Sequence, residues 1–178
     1  SAVTNAGSSL TLVMQPSDVT NQQGMEFFGC VVTNFTLSAD ATAEGGRYKF
    51  SATLQTGKVP DLASVAEPTI TPYANTTDVF LSSASGIKVF NTEAIMQSFS
   101  TTIESPAVFT GFTSTGYQAV SRGAEVAVTA ESTIKYDANT KTLINTFDTQ
   151  TSALAGNSLV ITNNNAYGVL IDNAVLTD

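Results

Sequence analysis

The strongest constraint on the fold is an alternation of apolar and polar residues in two stretches of the chain. In residues 47–55 the apolar side chains fall on the even positions Tyr48, Phe50, Ala52 and Leu54. Residues 125–136 repeat the pattern, with one apolar face made of Val126, Val128, Ala130, Ile134 and Tyr136. A period of two places successive side chains on opposite sides of an extended backbone. Both stretches are therefore predicted to be strands with one buried face.

Other apolar runs predict further strands. Residues 27–39 are rich in β-branched and aromatic side chains, and the apolar side switches between Val32 and Phe35, as a bulge or a strand buried on both faces requires. Ile95, Phe99 and Ile103 mark another strand. Weaker candidates are residues 9–14, 87–90, 158–162 and 168–176. The sequence thus predicts an all-β fold.

One segment departs from the period of two. Residues 140–152 place Leu143, Ile144 and Phe147 at helical spacing, directly after the turn residues Asp137-Ala138-Asn139. We expect one short helix over about residues 140–152, packed beside the sheet.

The chain is predicted to form one domain over residues 1–178, with two related hairpins at 27–57 and 95–136. Between the strands of the second hairpin, residues 105–121 read as a long loop without structure of its own, carrying Phe109, Phe112 and Tyr117. Aromatic residues are enriched in interface cores, so this loop is interpreted as an arm that contacts a neighbour. The Pro-containing residues 58–85 form a second candidate arm.

Composition favours assembly over a free monomer. Hydrophobic residues make up 42% of the chain and charged residues 12%, against roughly 25% charged in an ordinary soluble domain. Part of the surface is therefore expected to be covered by partners. The formal net charge of −8 argues against tight binding of nucleic acid, but it allows DNA to pass without adhering.

No residue pattern predicts catalysis, a cofactor or a metal. The chain has one cysteine, Cys30, and no histidine, so a Cys/His metal cluster and a histidine-activated nucleophile are excluded. Glu125 and Glu131 lie about 20 Å apart on an extended strand, too far for an acid/base pair. No apolar run is long enough to cross a membrane, and no signal peptide is expected at the N-terminus.

The order of these segments resembles the tail tube proteins of long-tailed bacteriophages. The resemblance is carried by residues 28–38 (FGCVVTNFTLS), then 46–54 (GRYKFSATL) and the pair Thr56-Gly57. It continues through residues 98–104, the long loop, residues 122–137 and the predicted helix. It covers most of the chain from about Met25 onward, and the chain starts partway through the expected pattern, which suggests a missing or shortened N-terminal segment.

The resemblance implies a β-sandwich or β-barrel subunit with a flanking helix. Such subunits would form stacked hexameric rings in the virion tail after assembly in the host cytoplasm, contact other tail proteins at the tube ends, and enclose a lumen through which DNA leaves. Phe109, Phe112 and Tyr117 are then expected at subunit interfaces. The polar faces of the two alternating strands supply candidate lumen residues, and an outer solvated face is left open for the same set: Lys49, Ser51, Thr53, Glu125, Thr129 and Glu131.

Two other classes of protein share parts of this pattern. A capsid decoration protein or a secreted adhesin-type β-sandwich would have similar Thr- and Ser-rich strands but would bind through its loops. A carbohydrate-binding module ranks lower, because the chain has no Trp and only five Tyr. An enzyme ranks last, since no catalytic constellation is visible.

Overall fold

The computed structural model describes residues 9–14, 24–61, 81, 84, 86–114, 116, 119–123, 125–143, 157–163 and 167–175. Within these residues the secondary structure is almost entirely β, as predicted. The strands are β1 (Leu10–Met14), β2 (Met25–Asp40), β3 (Lys49–Gln55), β4 (Gly86–Val89), β5 (Thr92–Glu93), β6 (Met96–Glu104), β7 (Ala107–Thr110), β8 (Ala119–Arg122), β9 (Ala127–Ile134), β10 (Asn157–Asn163) and β11 (Tyr167–Asp172). A 3₁₀ turn at Glu44–Gly46 lies between β2 and β3.

The strands form three sheets. The largest has five strands in the order β1-β2-β6-β9, with β3 also paired to β2. A four-stranded sheet has the order β11-β10-β4-β5, and β7 and β8 form a two-stranded sheet. Both alternating stretches, all the weaker strand candidates and the strand around Phe99 are confirmed, although the last strand ends at Asp172, earlier than predicted.

The chain divides into two compact units. Unit 1 comprises Ser1–Thr36, Phe50–Thr76 and Thr102–Thr129, and unit 2 comprises Leu37–Lys49, Thr77–Thr101 and Ala130–Asp178. Boundaries between the units fall within β2, β3, β6 and β9. The predicted duplication of hairpins 27–57 and 95–136 stays a prediction.

The hydrophobic core that is described lies in unit 2. Its buried members come from β2, β4, β6, β10, the start of the helix and Leu81 outside these elements, and include Phe99 at 2% exposure and Ile161 at 1%. The full set is Ala39, Leu81, Val89, Met96, Phe99, Leu143, Leu159 and Ile161. Tyr48 packs edge-on against Phe99, with ring centroids 5.5 Å apart. Tyr48 comes from the apolar face of the first alternating stretch, and Phe99 is one of the three residues that marked the strand around it.

The predicted irregularity of β2 is real but lies nearer its N-terminus. Between Leu10↔Cys30 and Leu12↔Phe27 the strand β2 advances one residue more than β1. Gly29 lies within this bulge with φ 63°, a conformation that glycine adopts without steric cost. Directly after the bulge the consecutive residues Cys30 and Val31 are both buried, so this part of β2 is covered on both faces.

The predicted helix begins where the turn residues placed it. Lys141–Leu143 is helical, and the remainder of residues 140–152 lies outside the described residues. The side chain of Asp137 accepts hydrogen bonds from the backbone N–H groups of Asn139 (2.9 Å) and Thr140 (3.0 Å), while the Asp137 N–H donates to the Thr140 hydroxyl (2.8 Å). This reciprocal arrangement satisfies backbone donors at the start of the helix and positions Leu143 in the core.

The pH dependence of stability tests this cap. Hydrogen bonding, chiefly from the Thr140 N–H, lowers the pKa of Asp137 below its ordinary value of 3.8, so the folded state favours the ionised carboxylate. This contribution is present above pH 3.8 and is lost as the pH falls through the lowered folded-state pKa. At about pH 6 the wild type should therefore melt at a higher temperature than Asp137→Asn. This difference in melting temperature should become smaller in acid. Asp137→Ala, which lacks the acceptor, should remain less stable throughout, and a wild-type advantage over Asp137→Asn that persists in acid would contradict the prediction.

Candidate assembly surface

Unit 1 exposes the apolar side chains that an independent domain would bury. Among its described residues only Cys30 and Val31 are buried hydrophobics. Eleven large apolar side chains of this unit are exposed, namely Leu10, Leu12, Met14, Met25, Phe50, Val59, Ile103, Val108, Phe112, Val126 and Val128. Among the described residues of unit 2 four are exposed, Ile95, Tyr136, Leu170 and Val175. Large exposed apolar area is characteristic of surfaces that bind partners.

The prediction of one buried face on each alternating strand is therefore wrong for much of both strands. Phe50 stacks on Phe35 with ring centroids 6.4 Å apart, yet it remains 76% exposed. Along β9, both faces are exposed from Ala127 to Thr133. The strands formed as predicted, but nothing in the described part of the chain encloses most of their apolar faces.

β3 and β9 also have free strand edges within the described part of the chain. There β3 pairs only with β2, and β9 pairs only with β6. An unpaired edge presents backbone donors and acceptors that can pair with another strand. Exposed faces and an unpaired edge on the same strand are the features expected of a strand that is completed by a second molecule.

In unit 1 the polar side of the β2–β6 pair consists of matched side chains. The hydroxyls of Thr36 and Thr102 share a hydrogen bond of 3.0 Å, and the Asn34 side-chain amide donates to a carboxylate oxygen of Glu104 at 3.3 Å. Cross-strand polar pairs of this kind stabilise a sheet by roughly 0.2–1 kcal/mol each. They give this surface a hydrogen-bonded polar face.

Unit 2 carries a polar groove of about 410 Å³. Its charged lining residues are Asp40, Arg47, Lys49 and Glu131, and small side chains such as Ser98 and Ser100 form much of the remaining wall. With two cations and two carboxylates, the charged lining is formally neutral. The Asp40 carboxylate accepts hydrogen bonds from the hydroxyl (2.6 Å) and backbone N–H (2.8 Å) of Thr42, and these hydrogen bonds lower the pKa of Asp40.

Two of the six candidate lumen residues, Lys49 and Glu131, line this groove. The other four, Ser51, Thr53, Glu125 and Thr129, lie in unit 1, and all six are exposed. Their exposure fits a lumen surface and an outer surface equally, so the lumen assignment stays a prediction.

The segment expected to be an unstructured loop is instead a β-hairpin. Strands β7 and β8 pair in register from Ala107↔Arg122 to Thr110↔Ala119. The Arg122 guanidinium fixes the base of this hairpin by donating to the backbone carbonyls of Val32 (2.7 Å) and Ser105 (3.1 Å). Nearer the tip, Gly116 lies so close to Lys58 that a Cβ would meet the Lys58 Cγ at 2.7 Å.

The hairpin presents one of the predicted interface aromatics openly. Phe112 is 66% exposed, Phe109 in β7 is half-buried, and Tyr117 lies outside the described residues. The sequence patterns did not indicate that Val108 and the β1 side chains are exposed apolar groups. The sequence signal for β7 is the alternation within residues 107–110, and four residues are too few to predict a strand from it.

Two common kinds of site are not found in the described part of the chain. None of its helices is long and apolar enough to cross a membrane. No cluster of three or more His, Cys, Asp or Glu side chains suited to a metal ion occurs among the residues that were described.

Replacing Arg122 tests whether its hydrogen bonds hold the hairpin in place. Arg122→Met keeps a long apolar stem but removes both hydrogen bonds to Val32 and Ser105. Hydrogen bonds from a charged donor contribute about 1.5–3 kcal/mol, so the amides of Phe109 and Val120 should exchange with solvent roughly ten-fold faster or more. Lys141→Met, an exposed change on the helix, is the control. Unchanged exchange in Arg122→Met would show that other contacts fix the hairpin.

The sequence matches the family model for phage tail tube protein over residues 1–177. No curated protein and no solved structure matches it significantly.

Proposed function

We propose that this chain, which belongs to the phage tail tube protein family, assembles with copies of itself into stacked, hexameric rings that form the conduit for DNA ejection. The family is a structural one and its members are components of the virion tail. The observation that carries the proposal is the contrast between the core of unit 2 and the exposed apolar side chains of unit 1. Neighbouring copies would bury these exposed side chains of unit 1.

The strand edges indicate how a ring would close. Pairing the free edge of β3 in one copy with that of β9 in the next would extend the sheet around a central axis. Closure removes unpaired edges altogether, which is why barrels avoid edge-to-edge aggregation. It would also allow the exposed faces of these strands to pack against neighbouring copies.

The charge distribution suits a passage that DNA does not adhere to. The chain carries a net charge of −8, and like charge repels the phosphate backbone. We assign the lumen surface to the exposed polar residues of the two alternating strands: Lys49, Ser51, Thr53, Glu125, Thr129 and Glu131. In this role the subunit needs no cofactor and performs no catalysis.

Contacts between copies would involve the β7–β8 hairpin, with Phe109, Phe112 and Tyr117 as anchors. Complete burial of a Phe side chain contributes about 1.5–3 kcal/mol. Repetition of the contact around each ring would multiply this gain. Other tail proteins would cap the two ends of the tube, where the same surfaces have no further copy to bind.

Negative-stain electron microscopy of the purified protein at high concentration tests the proposed function. Hollow tubes, or rings with a central hole, are expected. Uniform small monomers would contradict the proposal and would favour a decoration or adhesin-type protein, whose binding depends on a foreign lattice or surface.

Shortening the hairpin tests its part in assembly. Replacing residues 111–118 by Asn-Gly joins the paired residues Thr110 and Ala119 through a two-residue turn and removes Phe112 and Tyr117. The variant should keep the circular dichroism spectrum and the cooperative melting of a folded subunit, because the core of unit 2 is untouched. It should not form tubes. Normal tubes from this variant would exclude the hairpin tip from the assembly contacts.

A further inference from the structure

The β1–β2 ribbon carries an exposed apolar surface, here called the Met/Leu patch, made of Leu10, Leu12, Met14 and Met25. Met14 lies opposite Met25 and Leu12 lies opposite Phe27, so these side chains share one face of the ribbon. All four patch residues are exposed, Met14 to 55%. Two of the three methionines of the chain are placed here, and the third, Met96, is buried in the core of unit 2.

The chemistry of the patch points to an aromatic occupant. Methionine side chains are flexible and polarisable, and their sulfur atoms make favourable contacts with aromatic rings worth about 0.3–1.5 kcal/mol. No charged residue occurs in residues 9–14. The nearest carboxylate on the ribbon, Glu26, pairs with Val13 and therefore belongs to the opposite face.

The chain also contains an apolar segment that matches the Met/Leu patch. Residues 105–121 contain no charged residue, and the hairpin they include exposes Val108 and Phe112. Arg122 anchors the base of this hairpin through two backbone carbonyls, so its tip is presented on a fixed support. Phe112 remains 66% exposed and the Met/Leu patch remains exposed in the same chain, so neither surface is satisfied by the other within one molecule.

We propose that the Met/Leu patch of one copy receives the hairpin tip of a second copy, with Phe112 as the inserted side chain. The inference rests on the proposed function, because it takes another subunit as the partner. Two different surfaces meet in such a contact, so each copy can donate one hairpin and accept another. Contacts of this head-to-tail type generate rings or open helical arrays, as a tube requires.

Disulfide trapping between two single variants tests the contact directly. Met14→Cys and Phe112→Cys are prepared as separate proteins with tags of different length, mixed, allowed to assemble and oxidised. A disulfide requires Cα atoms within about 7 Å, so a mixed-size covalent dimer on a non-reducing gel is expected. The matched control replaces Met14→Cys by Leu170→Cys, an exposed site in unit 2, and should give no mixed dimer. The native Cys30 is buried at 2% exposure and is present in every sample.

A second measurement covers the case in which the cysteine variants assemble poorly. Met14→Ser and Phe112→Ser should each raise the protein concentration needed for tube formation roughly ten-fold or more, with unchanged circular dichroism, while Leu170→Ser should not. Wild-type assembly thresholds for Met14→Ser, or tubes without the Met14–Phe112 cross-link, would overturn the docking proposal and leave the tube function intact. A wild-type protein that forms no tubes would instead overturn the proposed function.

Discussion

The structure depends on which of its apolar side chains are buried within one chain and which are left exposed. Only 12% of the residues are charged, so solvation of charged groups cannot keep the whole surface in water, and apolar burial must stabilise the fold. Unit 2 achieves this within the chain, through the cluster that surrounds Phe99 and Ile161. In unit 1 the described residues bury only Cys30 and Val31 among hydrophobics, and Phe50, Val126 and Val128 stay in contact with solvent. The same physical requirement that folds unit 2 therefore favours association through unit 1.

The polar groups restrict the type of interaction on which this association can be built. The Thr36–Thr102 and Asn34–Glu104 pairs already satisfy one another across β2 and β6, and the charges around the groove of unit 2 balance formally. An interface built mainly on charge attraction is therefore less favourable than one built on backbone pairing and apolar contact. Such interfaces depend weakly on salt, because screening acts on charges separated through solvent.

The sequence predicted most elements of the fold but not their surroundings. Alternation identified β3 and β9, and the turn residues before Thr140 located the start of the helix, since both signals are local. The exposure of Phe50 could not be predicted, because alternation reports which side chains share a face and not whether anything covers it. The β7–β8 hairpin escaped detection because its strands are short and its Thr-, Ser- and Gly-rich turn region resembles a loop. The candidate aromatics were found by residue type alone, and the β1 patch was not found, since its significance depends on its pairing with Met25.

Separating stability from assembly has a physical advantage for a subunit that must remain free before it joins a large structure. Unit 2 contains the buried side chains, the edge-on Tyr48–Phe99 contact and the capped helix start, all of which are formed within one chain. Unit 1 contains most of β3, the start of β9, the anchored hairpin and the Met/Leu patch. A substitution at an exposed position of unit 1 removes little buried area from the free subunit, so only a small effect on folding is expected, and on the proposed function its main effect falls on assembly. A substitution in the core of unit 2 has the opposite effect, because each buried methylene contributes about 0.8 kcal/mol to the folded chain whether or not a partner is present.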